Sequence, residues 1–423
     1  MDLAKGVRDF SPREMQARNQ VLNAIRYQFG LFGFEPLETP ILERISTLTA
    51  KMEGSDATDV SAEIFRVEDQ GGRDLGLRYD LTVPLSRYVA MHKDLKIPFR
   101  RYEIGRVYRD GPIKLGRYRE FMQCDADIIG SKSPLADAEC INLAASVFAS
   151  LGISVIIHVN DRKILDAACA KLKIKNPMDV MISLDKLDKI GKAGVAKELQ
   201  TKKLTKAQID GLFDIVLVEG TSAGKLAFLE KELGATAIKD LKEVLSFVSA
   251  NIEVSPSLAR GLAYYTGTVF EAFAIDSKVK GSLCGGGRYD NLIADLAKTK
   301  TQVPAVGISF GIEPICEVLK EARSEELASD TAVFVIPIGD TIPKCVSLSS
   351  DLRKNGVSCA MDISGRSLTK NIEYASKLRI RRVLIVGEKD LAKGVVTIKD
   401  LESGESRAVS AADVAALALE LQL

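Results

Sequence analysis

The chain has 423 residues, 46% of them apolar, with 58 Lys and Arg balanced against 57 Asp and Glu. That length suits two or three domains with substantial cores, and the balance excludes a disordered or single-sign fibrous chain while leaving a nucleic-acid partner open, since local basic patches decide phosphate affinity. Seven cysteines without a CxxC pair argue against a disulfide or zinc framework, and two histidines, His92 and His158, cannot supply a metal cluster, so no protein-held metal is expected and each histidine reads as structural. No apolar run approaches a membrane span, and the opening MDLAKGVRDFSPRE is charged where a secretion signal needs an apolar stretch, so a cytoplasmic location without a membrane partner is expected.

In chain order, Ser11 precedes a run of helical spacing to about Phe29, with Pro12 and Glu14 suited to its start. Residues 32–43 alternate and carry two prolines, as an edge or interface strand would. Residues 51–62 are polar and read as mobile. From Glu63 the pattern predicts a hairpin turning at Gln70-Gly71-Gly72, then a helix starting between Leu81 and Pro84. Asp80 and Thr82 fall at that transition, where a side chain either points into a cavity at the sheet end or caps the helix.

The segment 101–127, RYEIGRVYRDGPIKLGRYREFMQCDAD, predicts two antiparallel strands broken at Asp110-Gly111-Pro112 and joined by an exposed basic loop. Strand alternation puts Arg119, Phe121, Gln123, Asp125 and Asp127 on one face. Such a face is costly to bury without a ligand. Arginine forks suit phosphate oxygens, an aromatic face suits a nucleobase, and Gln with Asp suits a small polar cation such as an amino acid's ammonium.

Pro134 to Leu151 reads as an amphipathic helix and SVIIHVND as a buried strand. Residues 160–240 become helical and rich in Lys, Asp and Leu, an inserted helical subdomain whose Lys202, Lys203 and Lys206 suit a solvated face. Residues 251–273 and 281–293 each contain strands. A lone Arg260 beside Tyr264 and Tyr265 on a sheet must find an anion or carboxylate, which marks a polar cavity. Gly285 to Gly287 allows close backbone approach, but it is neither a Walker loop nor GxGxxG, and a tight turn is the simpler reading. VPAVGISFGIEPICEVL is a strand entering a helix. After a charged linker at 323–329, short buried strands alternate with helical runs and end in a hairpin, a small α/β domain with right-handed crossovers. Its Lys370, Lys377, Arg379, Arg381 and Arg382 suit a polyanion or a solvated helix end.

Several of these segments together, KGVRDFSP, LRYDLTVPLSRYVAM, VYRDGPIKLGRYREFMQCDADIIG, LARGLAYYTGTVFE, CGGGRYDNLI and MDISGRSLTKN, closely resemble the histidyl-tRNA synthetases, a class II aminoacyl-tRNA synthetase family. LRYDLTVP and QCDADIIG look like the archaeal and eukaryotic variety. The resemblance implies an α+β catalytic domain at 1–325 with an antiparallel sheet and the 160–240 insertion, and an anticodon-binding α/β domain at 330–423. It implies ATP and L-histidine as substrates, Mg²⁺ on the phosphates, tRNA(His) as partner and a homodimer formed through 11–43. Carried over by position, Arg109 and Arg260 would be the catalytic arginines, with Arg109, Arg117 and Phe121 binding ATP. Asp80, Thr82 and Gln123 would take the substrate ammonium and Asp127 and Tyr264 the imidazole, with Leu81 and Tyr265 completing the histidine set.

The chain departs from the pattern in three places. Pro314 stands where an arginine for the γ-phosphate is usual, Asp110-Gly111 lacks a glutamate common there, and Ala263 replaces a common aspartate. The loop 114–119 with metal is therefore expected to hold the γ-phosphate. The runner-up is a histidine sensor similar to the regulatory paralogue of ATP phosphoribosyltransferase, which would have no need of an anticodon domain. An accessory protein on the same scaffold would not need the pocket of Gln123, Asp127 and Tyr264.

Overall fold

A computed structural model describes residues 1–49, 62–113, 118–260, 264–322 and 329–422. Most of the expected mobile stretch 51–62, the loop residues Lys114 and Arg117, Ala263 and the charged linker up to residue 328 lie outside these described residues. The chain divides into two compact units, Met1–Ser324 and Glu325–Leu423.

The first unit carries strands β1 (Glu35–Pro36), β2 (Leu42–Arg44), β3 (Arg66–Glu68), β4 (Asp74–Leu77), β5 (Phe99–Tyr108), β6 (Glu120–Ile129), β7 (Val155–Asp161), β8 (Ile252–Val254), β9 (Thr268–Ala274), β10 (Cys284–Arg288) and β11 (Ala305–Gly311). Eight form one sheet in the order β1-β5-β6-β11-β10-β9-β7-β8. The expected antiparallel sheet is its centre, but both edges differ, since β1 pairs parallel with β5 and β8 parallel with β7. The segment 32–43 is split accordingly. Pro36 ends the short β1, while β2 leaves to pair with β4 in a separate β2-β4-β3 sheet.

The helices Pro12–Leu31 and Pro134–Ser150 cover one face of the large sheet. Ser11 accepts from the Glu14 N–H while the Glu14 carboxylate accepts from the Ser11 N–H, which fixes where the first helix starts. Val21, Ile25 and Phe29 from that helix and Val147 and Phe148 from the other meet Cys124, Ala126 and Ile128 of β6 in one core, with Phe310 held 5.9 Å from Phe29 and 5.8 Å from Phe148. Each such fully buried aromatic stabilises the layer by roughly 1.5–3 kcal/mol. Because the even residues of β6 fill this core, its odd residues face the other way. Six helices between Arg162 and Ser246 form the insertion between β7 and β8.

The second unit has β12 (Val333–Ile338), β13 (Cys359–Met361), β14 (Arg382–Gly387), β15 (Val395–Asp400) and β16 (Ser406–Ser410), ordered β13-β12-β14-β15-β16. β12 is parallel to both β13 and β14, with the helices Ile342–Lys354 and Leu368–Lys377 between successive strands. This matches the strand–helix alternation in the sequence. Among its singled-out cations, Arg381 pairs with Asp400 at 2.8 Å and Arg382 donates to the Leu421 carbonyl at 3.1 Å.

Candidate functional site

A cavity of about 890 Å³ opens over the uncovered face of the large sheet. Its floor is Phe121, Gln123, Asp125 and Asp127 of β6 with Ser309 of β11, and Asp80 and Thr82 reach it from the start of the helix Thr82–Met91. Arg109 lines it at one end, and the loop between β8 and β9 supplies Arg260, Tyr264 and Tyr265. The face argued from strand alternation is therefore assembled, apart from Arg119. That side chain turns away to pair with Asp110 at 2.8 Å and donates to the Gly111 carbonyl at 3.3 Å.

At the acidic end, Asp80 does both things the sequence left open. Its Oδ1 accepts from the Val83 N–H at 3.0 Å, securing the helix start, while its Oδ2 is buried without a hydrogen-bond donor. Burial pushes its pKa up to about 6 against the pull of that N–H and of Arg109 and Arg101. Asp125 is raised further, to about 8, chiefly by burial and then by the neighbouring Asp127. Its Oδ1 likewise has no donor, and neither has Gln123 Oε1. With Asp127 Oδ2, four acceptors on residues lining one cavity thus lack a hydrogen-bond donor, a group that an ammonium with its three N–H bonds would supply.

Asp127 is better supplied. Tyr289 donates its hydroxyl to Oδ1, and the fully buried Arg101, opposite Asp127 across β5 and β6, places Nη2 2.8 Å from Oδ2 as an ion pair. Arg101 also donates to the Leu81 carbonyl at 3.2 Å and belongs to a buried network in which Glu103 pairs with Arg78 at 2.6 Å. Leu81 itself does not line the cavity. Its side chain is wholly buried, and its carbonyl accepts from Arg101.

At the other end the Arg109 guanidinium lies 5.1 Å from the Phe121 ring centroid, and its Nε donates to the Tyr79 carbonyl at 3.0 Å. Arg260 lies outside any strand, after β8 ends at Val254 and before β9 begins at Thr268. It finds its carboxylate in Glu271 at 3.0 Å and packs 5.5 Å over Tyr265, while its Nε is buried without an acceptor. Tyr264 lies 4.8 Å from Tyr265 and edge-on to Tyr289 at 5.8 Å, which walls the cavity beside Asp127. Gly285 to Gly287 is a central strand, not the expected turn. A Cβ on Gly285 would overlap the Arg260 guanidinium, and one on Gly287 would lie 2.6 Å from the Thr268 carbonyl, so the bare backbone keeps the floor low enough for the arginine.

Arg117 of the expected ATP set lies outside the described residues. Pro314 packs on Gly311 in the first turn of the helix Ile312–Ala322, where it would meet a Cβ at 3.0 Å, and Glu313 beside it is buried against Arg18 at 2.9 Å. Arg101, Tyr289, Glu271 and Ser309 received no role from the sequence. The parity of Arg101 and Asp127 across a hairpin could have found the first. Ser309 carries no local signal.

Residues 6–315 match the family described as Histidyl-tRNA synthetase, and residues 332–421 match the one described as Anticodon binding domain. A Bacillus cereus protein named Histidine--tRNA ligase 1 is 37% identical over 410 residues, 95% of each chain. A Histidine--tRNA ligase of Phocaeicola vulgatus is 36% identical over 96% of each. The crystal structure of histidyl-tRNA synthetase from Nostoc sp. PCC 7120 superposes with a TM-score of 0.86 at 30% identity, covering 100% of this chain and 98% of that one. A Bacillus halodurans structure described as an ATP phosphoribosyltransferase regulatory subunit/histidyl-tRNA synthetase has a TM-score of 0.73 at 21% identity, covering 91% of this chain and 97% of that one, and shares the fold.

Proposed function

The chain belongs to the histidyl-tRNA synthetase family, and from that premise we propose how its cavity divides the work of a histidine–tRNA ligase. The activity is that of a class II aminoacyl-tRNA synthetase: ATP-dependent activation of L-histidine to histidyl-adenylate, then transfer to the 3′-terminal adenosine of tRNA(His). The division is supported by the donorless acceptors of Asp80, Gln123, Asp125 and Asp127 at one end and two arginines at the other. Asp80, Thr82 and Gln123 take the ammonium, Asp127 and Tyr264 hold the imidazole, Tyr265 backs the wall, and Arg109 and Phe121 receive the α-phosphate and adenine.

In the first step a histidine carboxylate oxygen attacks the α-phosphorus in line as pyrophosphate leaves. No side chain needs to carry a proton, so positioning and charge stabilisation dominate. Arg109 and Arg260 are assigned to the charge that grows on the α-phosphoryl oxygens, with Glu271 holding Arg260 in place. In the second step a ribose hydroxyl attacks the carbonyl of the mixed anhydride and AMP leaves. Polar partners for both imidazole nitrogens penalise amino acids that leave them unpaired, which supplies specificity without an editing site.

Mg²⁺ on the β- and γ-phosphates would offset their charge. Among the described residues no group of three or more His, Cys, Asp or Glu could hold a metal ion, so this reading gives its coordination to phosphate oxygens and water. With Pro314 in place of a cation, the γ-phosphate is assigned to the basic loop 114–119, including Arg117. The catalytic domain is assigned to 1–325 with its insertion at 160–240, and the anticodon domain to 330–423. A homodimer through 11–43 is supported by exposed Tyr27, Leu31, Ile41 and Leu42. The cytoplasm is the proposed location; among the described residues no helix is long and apolar enough to cross a membrane. The archaeal and eukaryotic variety rests on motif wording alone, and the relatives named above are bacterial.

Pro314 gives the histidine-sensor reading its one favourable observation, and the two arginines facing one cavity oppose it. Histidine-dependent ATP–pyrophosphate exchange followed by tRNA charging decides. Both should occur, exchange without charging would remove the tRNA role, and histidine binding without exchange would leave the sensor.

A further inference from the structure

Gln123 has two hydrogen-bonding ends, and only one of them suits an ammonium. Its Nε2 donates to Ser309 Oγ at 2.9 Å, which turns the carbonyl Oε1 to the cavity, where it has no donor. A hydroxyl that accepts from an amide must spend its own proton elsewhere, and Ser309 hydrogen-bonds to Asp125. The carboxylate is the end of this short chain. With an ammonium at its Oδ1 the carboxylate is charged and only accepts, so the Ser309 proton points to it and the serine lone pair is left for the Gln123 amide. Replacing the carboxylate with a group that donates would let Ser309 turn its hydroxyl toward Gln123 and invite the amide to flip, presenting two N–H groups to a cation.

Asp125 can hold this position because β6 and β11 pair it directly with Ser309, with Gln123 two residues along on the same face. Its second oxygen, Oδ1, is buried and unpartnered beside the same space. The side chain is 3% exposed, so no bulk water offsets it.

We propose that Asp125 and Ser309 are positioning residues that fix the Gln123 amide with its carbonyl toward the substrate ammonium, Asp125 Oδ1 sharing that ammonium. The proposal rests on the assignment of this end of the cavity to histidine. It extends that assignment to two residues the family pattern gave no role.

The test is ATP–pyrophosphate exchange with wild type and the variants Asp125→Asn, Asp125→Ser, Ser309→Ala and Gln123→Ala, measuring KM for histidine and for ATP. Inhibition by imidazolepropionate, which keeps the ring and carboxylate but lacks the ammonium, is measured alongside. Asp125→Asn should raise the histidine KM at least tenfold and Ser309→Ala about threefold to fivefold. The ATP KM and the imidazolepropionate inhibition constant should stay within twofold, and Asp125→Ser should behave as Asp125→Asn if charge rather than shape matters. Equal weakening of histidine and imidazolepropionate would reduce Asp125 to a packing role and overturn the proposal. An unchanged histidine KM in Asp125→Asn with a raised one in Gln123→Ala would overturn it while sparing the site. If Gln123→Ala changes nothing, the assignment of the histidine end is itself wrong and the proposal goes with it.

Discussion

The acidic and the arginine ends of the cavity are built by different means. Asp125, Asp127, Gln123 and Ser309 project from two paired central strands; their hydrogen bonds run to one another and to Tyr289, and Asp127 is ion-paired with the fully buried Arg101. Arg109 lies just past the end of β5, where the Tyr79 carbonyl and the Phe121 ring hold it, and Arg260 lies on the loop before β9, held by the Phe270 carbonyl, the Glu271 carboxylate and the Tyr265 ring. A pocket that must recognise a small ligand by its N–H pattern needs a rigid frame. An apparatus that stabilises charge as it grows on phosphorus needs cations aimed at one point, and Arg109 and Arg260 supply them from outside those two strands.

The difference is broken most severely at Arg260. Since it is assigned to charge that exists only in the transition state, Arg260→Ala should lower the exchange rate by roughly a thousandfold while the histidine KM stays within threefold. Near-normal turnover would remove the mechanism, and a large rise in histidine KM would mean that the two ends are not separable. Gly285→Ala offers a second route to the same group, because its Cβ would push the guanidinium off the strand floor. We expect a loss of exchange rate of about tenfold to a hundredfold, again without a matching change in histidine affinity, since displacements near an ångström carry costs of that order.

What the sequence made legible follows the same division. Period-two alternation placed Phe121, Gln123, Asp125 and Asp127 on one face because strands enforce it, and the Ser11–Glu14 capping box and the turn at Gln70-Gly71-Gly72 are local signals that the fold kept. Contacts that close across sequence were not legible. Ser309 meets Gln123 from 186 positions away, and Glu271 meets Arg260 only because glycines at 285–287 let the loop settle on the sheet. Arg119 misled for a related reason. Its parity is right, but it sits just before β6 begins, where it pairs with Asp110 at the cavity's edge and does not itself line the cavity. The parallel edges escaped because a two-residue β1 and a three-residue β8 are set by neighbours rather than by propensity.

A smaller effect sharpens the nucleotide side. If the loop 114–119 replaces the missing cation at Pro314, Lys114→Ala and Arg117→Ala should each raise the apparent ATP KM about fivefold, with additivity in the double variant if the two contact different oxygens. Unchanged ATP affinity in both would end that assignment. Neither change should move the histidine KM, which keeps the comparison between the ends intact.

The smallest expected effect is on stability, and it tests the rigidity of the acidic end without any turnover. Asp125, at about 8, and Asp80, at about 6, sit above the ordinary carboxylate value near 3.8 because burial disfavours their charged forms. A group whose folded pKa is raised binds more protons folded than unfolded, so its contribution is complete below the unfolded value and is lost as pH rises through the folded one. The ligand-free enzyme should therefore lose melting temperature between about pH 4 and pH 8, and Asp125→Asn should flatten the upper part of that slope. The lower part should persist in the variant, because Asp161 outside the cavity is also raised, to about 7. Saturating histidine should flatten the slope in wild type, since an ammonium among Asp80, Asp125 and Gln123 replaces the missing donors and favours the charged carboxylates. A slope that is the same in wild type and Asp125→Asn would mean that the carboxylate is already charged and satisfied without ligand, and the contrast drawn between the acidic end and the arginine end would fail with it.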